Sequence, residues 1–223
     1  TSRGLFAHLW ARKAVDLAVD RPAIAALSGG VAANQYLPTA LLTSPSPPPT
    51  SPTAADLARA RALLRGRHAN VTLLFGSYST LDKQYANIIR DDLARIGLHV
   101  IIRPVQDPYQ PDMRGDMRIF GWQFDYWDPA DLLPVTLFTR DPATNPYGFQ
   151  SARWERADDR ASQLTGAARL RAFSAVARGV HGLVPWVVLD QRGTPAFFSA
   201  RLGCIHFPPA YAGVDLAALC VRH

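Results

Sequence analysis

Aromatic and acidic side chains are concentrated in one short segment of the sequence, residues 120–131. It carries five aromatic residues and three aspartates, Asp125, Asp128 and Asp131, which follow one another at intervals of three. A carboxylate beside aromatic rings can pair with a ligand ammonium while the rings cover the apolar part of the ligand. Carboxylates at close spacing can also hold a metal or act as an acid and a base.

Two of these aspartates have a structural explanation. Asp128 followed by Pro129 is typical of a helix start, and Asp131 stands three residues after the cap, where a capping-box partner belongs. Asp125 is therefore the candidate for binding an ammonium group. We expect Trp122, Gln123, Phe124 and Tyr126 to complete the ligand site around it. The alternative interpretation is an exposed loop aspartate beside core aromatics.

Other kinds of site find no support in the sequence. The six histidines, at positions 8, 68, 99, 181, 206 and 223, form neither a closely spaced pair nor a ligand pattern with acidic residues. The glycine-rich nucleotide-binding motifs and the GxSxG motif are missing. We therefore expect neither a metal nor a cofactor.

The composition indicates a globular domain with a real core. The chain has 223 residues, of which 48% are hydrophobic and 19% are charged. Its net charge is +6, but the arginines are scattered and form no basic run, which favours a solvated surface over a nucleic-acid interface. No apolar stretch approaches the roughly 18 residues of a membrane span, and we expect no signal peptide within the sequence.

Hydrophobic periodicity and turn residues predict an α/β fold. The alternation of strand, helix and strand after residue 70 favours a sheet with a parallel crossover. Between residues 43 and 53, five prolines predict an extended surface loop. Predicted helices span residues 9–19, 23–27, 54–64, 81–96, 128–138, 153–164 and 167–183. Predicted strands span residues 71–75, 98–105, 117–124 and 186–191.

The two cysteines, Cys204 and Cys220, lie near the end of the chain and enclose 15 residues. Their spacing matches no zinc or redox motif. They form either a disulfide in an exported protein or two separately buried thiols, and we favour the disulfide.

Several short segments in the same order resemble the C-terminal lobe of the family 5 extracellular solute-binding proteins, the dipeptide and oligopeptide receptors of ABC importers. They extend over about 200 residues, and their collinearity is more specific than any one of them. The segments are ARKAVDLAVDR at 11–21, ARALL at 60–64, LLFG at 73–76, LARIGL at 93–98, GDM at 115–117, GW at 121–122, DY at 125–126, DP at 128–129 and PWV at 185–187.

This resemblance implies a periplasmic-binding-protein-like (type II) lobe, a mixed sheet flanked by helices, over residues 1–193. Residues 194–223 would form a return segment that packs on an N-terminal lobe outside this sequence. The resemblance further implies that Asp125 accepts the α-ammonium of a bound peptide and that Trp122 lies in the cleft wall.

The same resemblance implies a non-enzymatic, exported receptor at the periplasmic or extracellular face of the cell membrane. Its partners would be a short peptide, an ABC permease and the N-terminal lobe of the same receptor, with no nucleic acid. Contact with the membrane would be through a lipid anchor outside this chain.

Two features depart from the family pattern: the Ser/Pro run after residues 36–38, and Pro134 inside the predicted helix. Three other functions stay open on the sequence. They are binding of a non-peptide solute such as a metal chelate or an oligosaccharide, an isolated lobe acting as an interaction module, and a hydrolase that uses Asp112, Asp116 or Asp125.

Overall fold

The protein is an α/β structure, described by a computed structural model over residues 4–108, 110, 114–193, 196–208 and 213–222. The α-helices are α1 (Leu9–Ala18), α2 (Arg21–Ser28), α3 (Ala54–Leu64), α4 (Thr80–Ala94), α5 (Ala152–Ser162) and α6 (Gly166–His181). The strands are β1 (Val31–Ala32), β2 (Ala69–Gly76), β3 (Leu98–Val105), β4 (Met117–Arg118), β5 (Asp190–Gln191), β6 (Leu202–Gly203) and β7 (Cys220–Val221). Short 3-10 helices span Leu5–Ala7, Thr39–Leu41, Pro129–Asp131 and Leu216–Ala218.

A three-stranded parallel sheet forms the centre of the fold, in the order β3-β2-β4. β2 pairs with β3 along its whole length, from Ala69 opposite Leu98 to Gly76 opposite Val105, and α4 makes the crossover between them. Pro104 is accommodated because β3 is an edge strand. The remaining strands form two antiparallel pairs, β1 with β5 and β6 with β7. The predicted α/β class and the parallel crossover are confirmed.

Local signals place the first helices. Thr53 and Asp56 form a capping box at the start of α3, in which the Thr53 hydroxyl accepts the backbone N–H of Asp56 at 3.2 Å. The carboxylate of Asp56 accepts the backbone N–H of Thr53 at 3.0 Å. α2 ends at Gly29, whose φ of 67° suits a residue without a Cβ. The proline-rich stretch 43–53 contains neither helix nor strand, as predicted.

Two predicted strands are much shorter than expected. The strand predicted at 117–124 pairs with β2 only at Met117 and Arg118, followed by one more backbone hydrogen bond from Ile119 to Leu74 (2.9 Å). Beyond that point the chain leaves the sheet and forms a loop. The strand predicted at 186–191 pairs only over β5. The apolar alternation continues past the region of strand pairing, because these side chains are partly buried against the two hydrophobic clusters and not within the sheet.

The prediction of a regular α-helix over residues 128–138 is wrong. The chain instead forms the 3-10 helix Pro129–Asp131 and then a π-helix, Leu133–Phe138. Pro134 has no backbone N–H to donate, so a regular α-helical ladder cannot run through this position. The wider turn still buries Leu133, Thr136 and Leu137.

The interior has two hydrophobic clusters. The first lies between the sheet and helices α1, α3 and α4, and includes the fully buried Leu64, Tyr85 and Leu93. The second lies between α5, α6 and the π-helix, and includes Leu137 and Phe173. No helix within the described residues has the length and apolar character needed to cross a membrane.

The C-terminal segment carries a disulfide bond between Cys204 and Cys220, which joins β6 to β7 with a Cα–Cα distance of 5.4 Å. Several apolar side chains of this segment face solvent. Phe197 is 92% exposed and Leu216 is 75% exposed.

Arg12 and Arg21 connect the first helices to segment 183–188. The Arg12 guanidinium donates to the carbonyls of Leu183 (2.8 Å) and Val184 (2.9 Å) and, on its other side, to that of Phe6 (2.8 Å). Arg21 donates to the carbonyl of Val188 at 2.7 Å. These side chains replace backbone partners that segment 183–188 lacks, since this segment forms no regular element before β5.

We expect Arg12→Met to destabilise the protein by about 2–4 kcal/mol, because several partly buried carbonyls lose their donors. Urea unfolding followed by circular dichroism would measure this. Arg171→Met is the matched control, since Arg171 is exposed on α6. An equal effect of both variants would contradict the bridging role of Arg12.

Candidate ligand-binding cleft

A cleft of about 2220 Å³ runs along the end of the sheet where β4 leaves it. Residues 117–124 and residues 184–192 both line it, and the two segments meet where the rings of Phe120 and Trp186 lie 5.0 Å apart. Many of its lining side chains are aromatic, which suits a ligand with apolar parts. They are Phe6, Tyr36, Tyr85, Phe120, Trp122, Phe124, Trp127, Tyr147, Trp186, Phe198 and Phe207.

The structure brings three of the five predicted site residues into this cleft. Trp122, Gln123 and Phe124 line it, whereas Asp125 and Tyr126 do not. Both of these residues are exposed, and Trp127, which follows them, again lines the cleft. Asp125 and Tyr126 therefore stand at the rim of the cleft, where the chain turns between two lining residues.

Asp131 has a different role from the one predicted. Its side chain is buried and forms no capping box; one carboxylate oxygen accepts both the indole N–H of Trp122 (3.0 Å) and the backbone N–H of Asp125 (3.1 Å). A partly buried indole N–H needs an acceptor, and this general rule is the only sequence signal that could have indicated the contact. Asp131 thus fixes both the aromatic wall and the backbone that presents Asp125.

Asp128 caps the 3-10 helix, as predicted, by accepting the backbone N–H of Ala130 at 2.8 Å. It also forms a bidentate ion pair with Arg169 of α6, with N–O distances of 3.0 Å and 2.7 Å. Burial alone would raise the pKa of Asp128, but the hydrogen bonds from Arg169 and Ala130 outweigh it and lower the pKa. Arg169 lies 41 residues away in the sequence, and its contribution was missed because no local pattern indicates such a pairing.

The rim around Asp125 has a negative potential. The pKa of Tyr126 is raised, first by burial and then by the charges of Asp131 and Asp128, while Arg169 acts in the opposite direction. Among the described residues, none donates a hydrogen bond to the carboxylate of Asp125 or forms an ion pair with it. An exposed carboxylate in such a place is suited to bind a cation.

The sequence also named Asp112 and Asp116 as carboxylates that a hydrolase could use. Asp116 accepts the backbone N–H of Thr72 at 2.8 Å, and Asp112 lies outside the described residues. Within the part of the chain that the structure covers, no group of three or more histidines, cysteines and acidic residues is arranged to hold a metal ion.

Solved structures with the same fold are receptors about twice as long. The murein tripeptide binding protein MppA of Escherichia coli matches all of this chain with 19% identity and a TM-score of 0.80, over 47% of its own length. DppA of Helicobacter pylori, solved with the peptide STSA, matches 85% of this chain with 19% identity and a TM-score of 0.73, over 40% of its length. A dipeptide binding protein of Pseudoalteromonas sp. SM9913, solved with Met-Leu, matches 99% with 20% identity and a TM-score of 0.76, over 46% of its length.

These structural likenesses establish a periplasmic-binding-protein-like fold, and this chain spans less than half the length of each of these proteins. A sequence comparison with curated proteins finds no significant match. The model of the bacterial extracellular solute-binding proteins, family 5 middle region, matches residues 1–143. The chain therefore belongs to the family 5 extracellular solute-binding proteins, as the resemblance of its short segments indicates.

We expect Asp131→Ala to destabilise the protein by about 2–4 kcal/mol, because a partly buried indole N–H and a backbone N–H lose their acceptor. Asp131→Asn keeps one accepting oxygen and should cost less. Urea unfolding would give the stabilities, and tryptophan emission would report the altered surroundings of Trp122. An unchanged emission spectrum in Asp131→Ala would argue against the contact.

Asp158 is a buried acidic group on α5, close to the Asp128–Arg169 pair. Its side chain is only 3% exposed, and one carboxylate oxygen has no hydrogen-bond partner among the described residues. Burial, followed by the charge of Asp159, raises the pKa of Asp158 to about 7, and Arg169 offsets part of this rise. The folded state therefore holds a proton that the unfolded chain releases near pH 4.

Stability should consequently fall as pH rises from about 4 to about 7, where the folded state binds more protons than the unfolded state. Asp158→Asn should remove this dependence. The change that it causes in the free energy of unfolding should be more favourable at pH 8 than at pH 4 by on the order of 3 kcal/mol. Thermal unfolding from pH 4 to 8 is the measurement. Parallel pH profiles for the wild type and the variant would show that Asp158 does not titrate in this range.

Proposed function

We propose that this chain belongs to a receptor that binds short peptides in the cleft and delivers them to the permease of an ABC importer. Membership of a solute-binding family supports a binding role and not catalysis. Two of the structurally similar receptors were solved with a peptide of two or four residues. Peptide binding by this chain is the proposal that these relatives support.

The observation that carries the proposal is the free carboxylate of Asp125 on a fixed backbone beside an aromatic wall. The backbone N–H of Asp125 donates a hydrogen bond to the buried Asp131, which also accepts the indole N–H of Trp122 and so orients this ring. A peptide's α-ammonium would pair with Asp125 and its first side chains would lie against Trp122, Gln123, Phe124 and Tyr126. The negative potential of the rim favours the ammonium end of the peptide there.

Full enclosure of the ligand needs a second lobe. We propose that residues 1–193 form one ligand-binding lobe and that residues 194–223 form a return segment that packs on the N-terminal lobe of the same receptor. The exposed Phe197 and Leu216 support this division, since apolar side chains this exposed are typical of a surface that another domain covers. Closure of two lobes around the peptide would then supply most of the affinity.

Delivery to a permease requires the receptor to be exported. We propose that it works at the periplasmic or extracellular face of the cell membrane and is held there by a lipid anchor outside this chain. The disulfide between Cys204 and Cys220 is consistent with an oxidising compartment.

We expect Asp125→Asn to weaken the binding of free-amine peptides by about 2–5 kcal/mol, because the ammonium loses its charged partner. The variant is made in the receptor as its natural source produces it. Binding of the N-acetylated peptides should hardly change. Isothermal titration calorimetry with trialanine and N-acetyl-trialanine would measure both effects.

Asp91→Asn is the matched control, since Asp91 is exposed on α4 and does not line the cleft. Equal loss for both peptide types in Asp125→Asn would remove Asp125 from the proposed role. Failure of the wild type to bind any peptide would overturn peptide binding as the function.

A further inference from the structure

The charge of the cleft is strongly unbalanced. Among the described residues that line it, arginines outnumber aspartates by five to two, and there is no lysine or glutamate. The charged lining residues are Arg12, Arg103, Arg114, Arg118 and Arg192 with Asp116 and Asp190. A peptide with free ends and neutral side chains has no net charge, so it would leave this excess of positive charge uncompensated.

Most of these arginines already have acceptors in the protein. Arg12 donates to the backbone carbonyls of Phe6, Leu183 and Val184. Arg192 lies 3.7 Å from the carboxylate of Asp190, and Arg103 donates to the carbonyl of Arg114. They contribute to the potential, but their N–H groups are largely in use.

Arg118 differs from the other arginines in its hydrogen bonding. Its Nη2 donates to the carbonyl of Gln110 at 3.2 Å and its guanidinium also forms a hydrogen bond with the side chain of Tyr147, which leaves part of the buried Nε and Nη1 groups without an acceptor among the described residues. It forms no ion pair with any described carboxylate. Buried guanidinium N–H groups without acceptors are costly, and in native proteins they usually have a partner.

The position of Arg118 indicates that a further acceptor would approach it from the cleft. Arg118 is the last residue of β4, lines the cleft and lies seven residues before Asp125. The ring centre of Tyr147, another lining residue, lies 5.9 Å from its guanidinium carbon. A ligand carboxylate would pair with the guanidinium by replacing its hydrogen bond to Tyr147, since an ionised acceptor binds a guanidinium more strongly than a hydroxyl does.

We propose that Arg118 binds an acidic side chain of the ligand, so that the receptor prefers peptides containing glutamate or aspartate. This inference rests on the proposed function and adds a class of peptide to it. The positive excess in the cleft attracts acidic ligands, and Arg118, which pairs with no carboxylate among the described residues, provides a particular partner for the ligand carboxylate.

The test compares matched pairs of tripeptides by calorimetry, using the receptor at its natural length. Glu-Ala-Ala, Ala-Glu-Ala and Ala-Ala-Glu are each compared with the peptide that has glutamine in place of glutamate, and each is also measured with an amidated C-terminus. We expect at least one glutamate peptide to bind the wild type about 10- to 100-fold more tightly than its glutamine partner, as expected for a hydrogen-bonded charge pair.

Arg118→Gln should remove this preference, so that the glutamate and glutamine peptides of each pair bind the variant with equal affinity. Arg118→Lys keeps the charge and should retain part of the preference. Arg90→Gln is the control, since Arg90 is exposed on α4 and pairs with Asp91 away from the cleft lining. Unchanged circular dichroism and melting temperature would show that each variant is folded.

Several results would overturn the inference. If the wild type binds the glutamate and glutamine peptides of every pair with equal affinity, the preference for acidic peptides is wrong, whereas the proposal of peptide binding is not contradicted. A preference that survives in Arg118→Gln would assign it to another residue. If C-terminal amidation abolishes the effect of Arg118→Gln, this residue binds the main-chain carboxylate and not a side chain. Binding of none of the peptides would overturn the proposed function and this inference together.

Discussion

Segment 183–188 has few backbone partners of its own, and its attachment to the first helices is the constraint on which the cleft depends. Arg12 and Arg21 hold its carbonyls, and the Tyr36 hydroxyl donates to the carbonyl of Trp186 at 3.0 Å. Because this segment forms one wall of the cleft, side chains from the start of the chain fix the position of a surface that lies about 170 residues later. Charged donors suit this task, since their hydrogen bonds to carbonyls are stronger than those of neutral groups.

Residues 120–124, which also line the cleft, are held by carboxylates and not by strand pairing. After β4 the chain has no neighbour along the sheet, so the loop would be free to adopt many conformations. Asp131 limits it by holding the Trp122 indole and the backbone of Asp125 with a single oxygen, and Arg169 anchors the following turn through Asp128. The cost of ordering the site is therefore met when the protein folds, and a ligand need not order it on binding.

Sequence reasoning succeeded where the signal was local. The helices predicted at 23–27 and 54–64 and the strand predicted at 71–75 depend on neighbouring residues, and α2, α3 and β2 agree with them within a few positions. The strand predicted at 117–124 is wrong beyond Ile119, because the alternating apolar side chains Trp122 and Phe124 are partly buried against the cluster of α5, α6 and the π-helix and not in a sheet. Asp131 and Arg169 could not have been placed from the sequence, because their partners are defined by the tertiary fold.

The two proposed ligand contacts give the cleft an electrical polarity. Asp125 stands at a rim made negative by Asp128 and Asp131, whereas Arg118, seven residues earlier, faces the cleft where arginines predominate. A peptide bound at both points would place its ammonium end at the rim and its acidic side chain towards the sheet. The reverse orientation would bring each charge of the peptide to a site of the same sign. Orientation would therefore be set by long-range electrostatics before any side-chain pocket is filled.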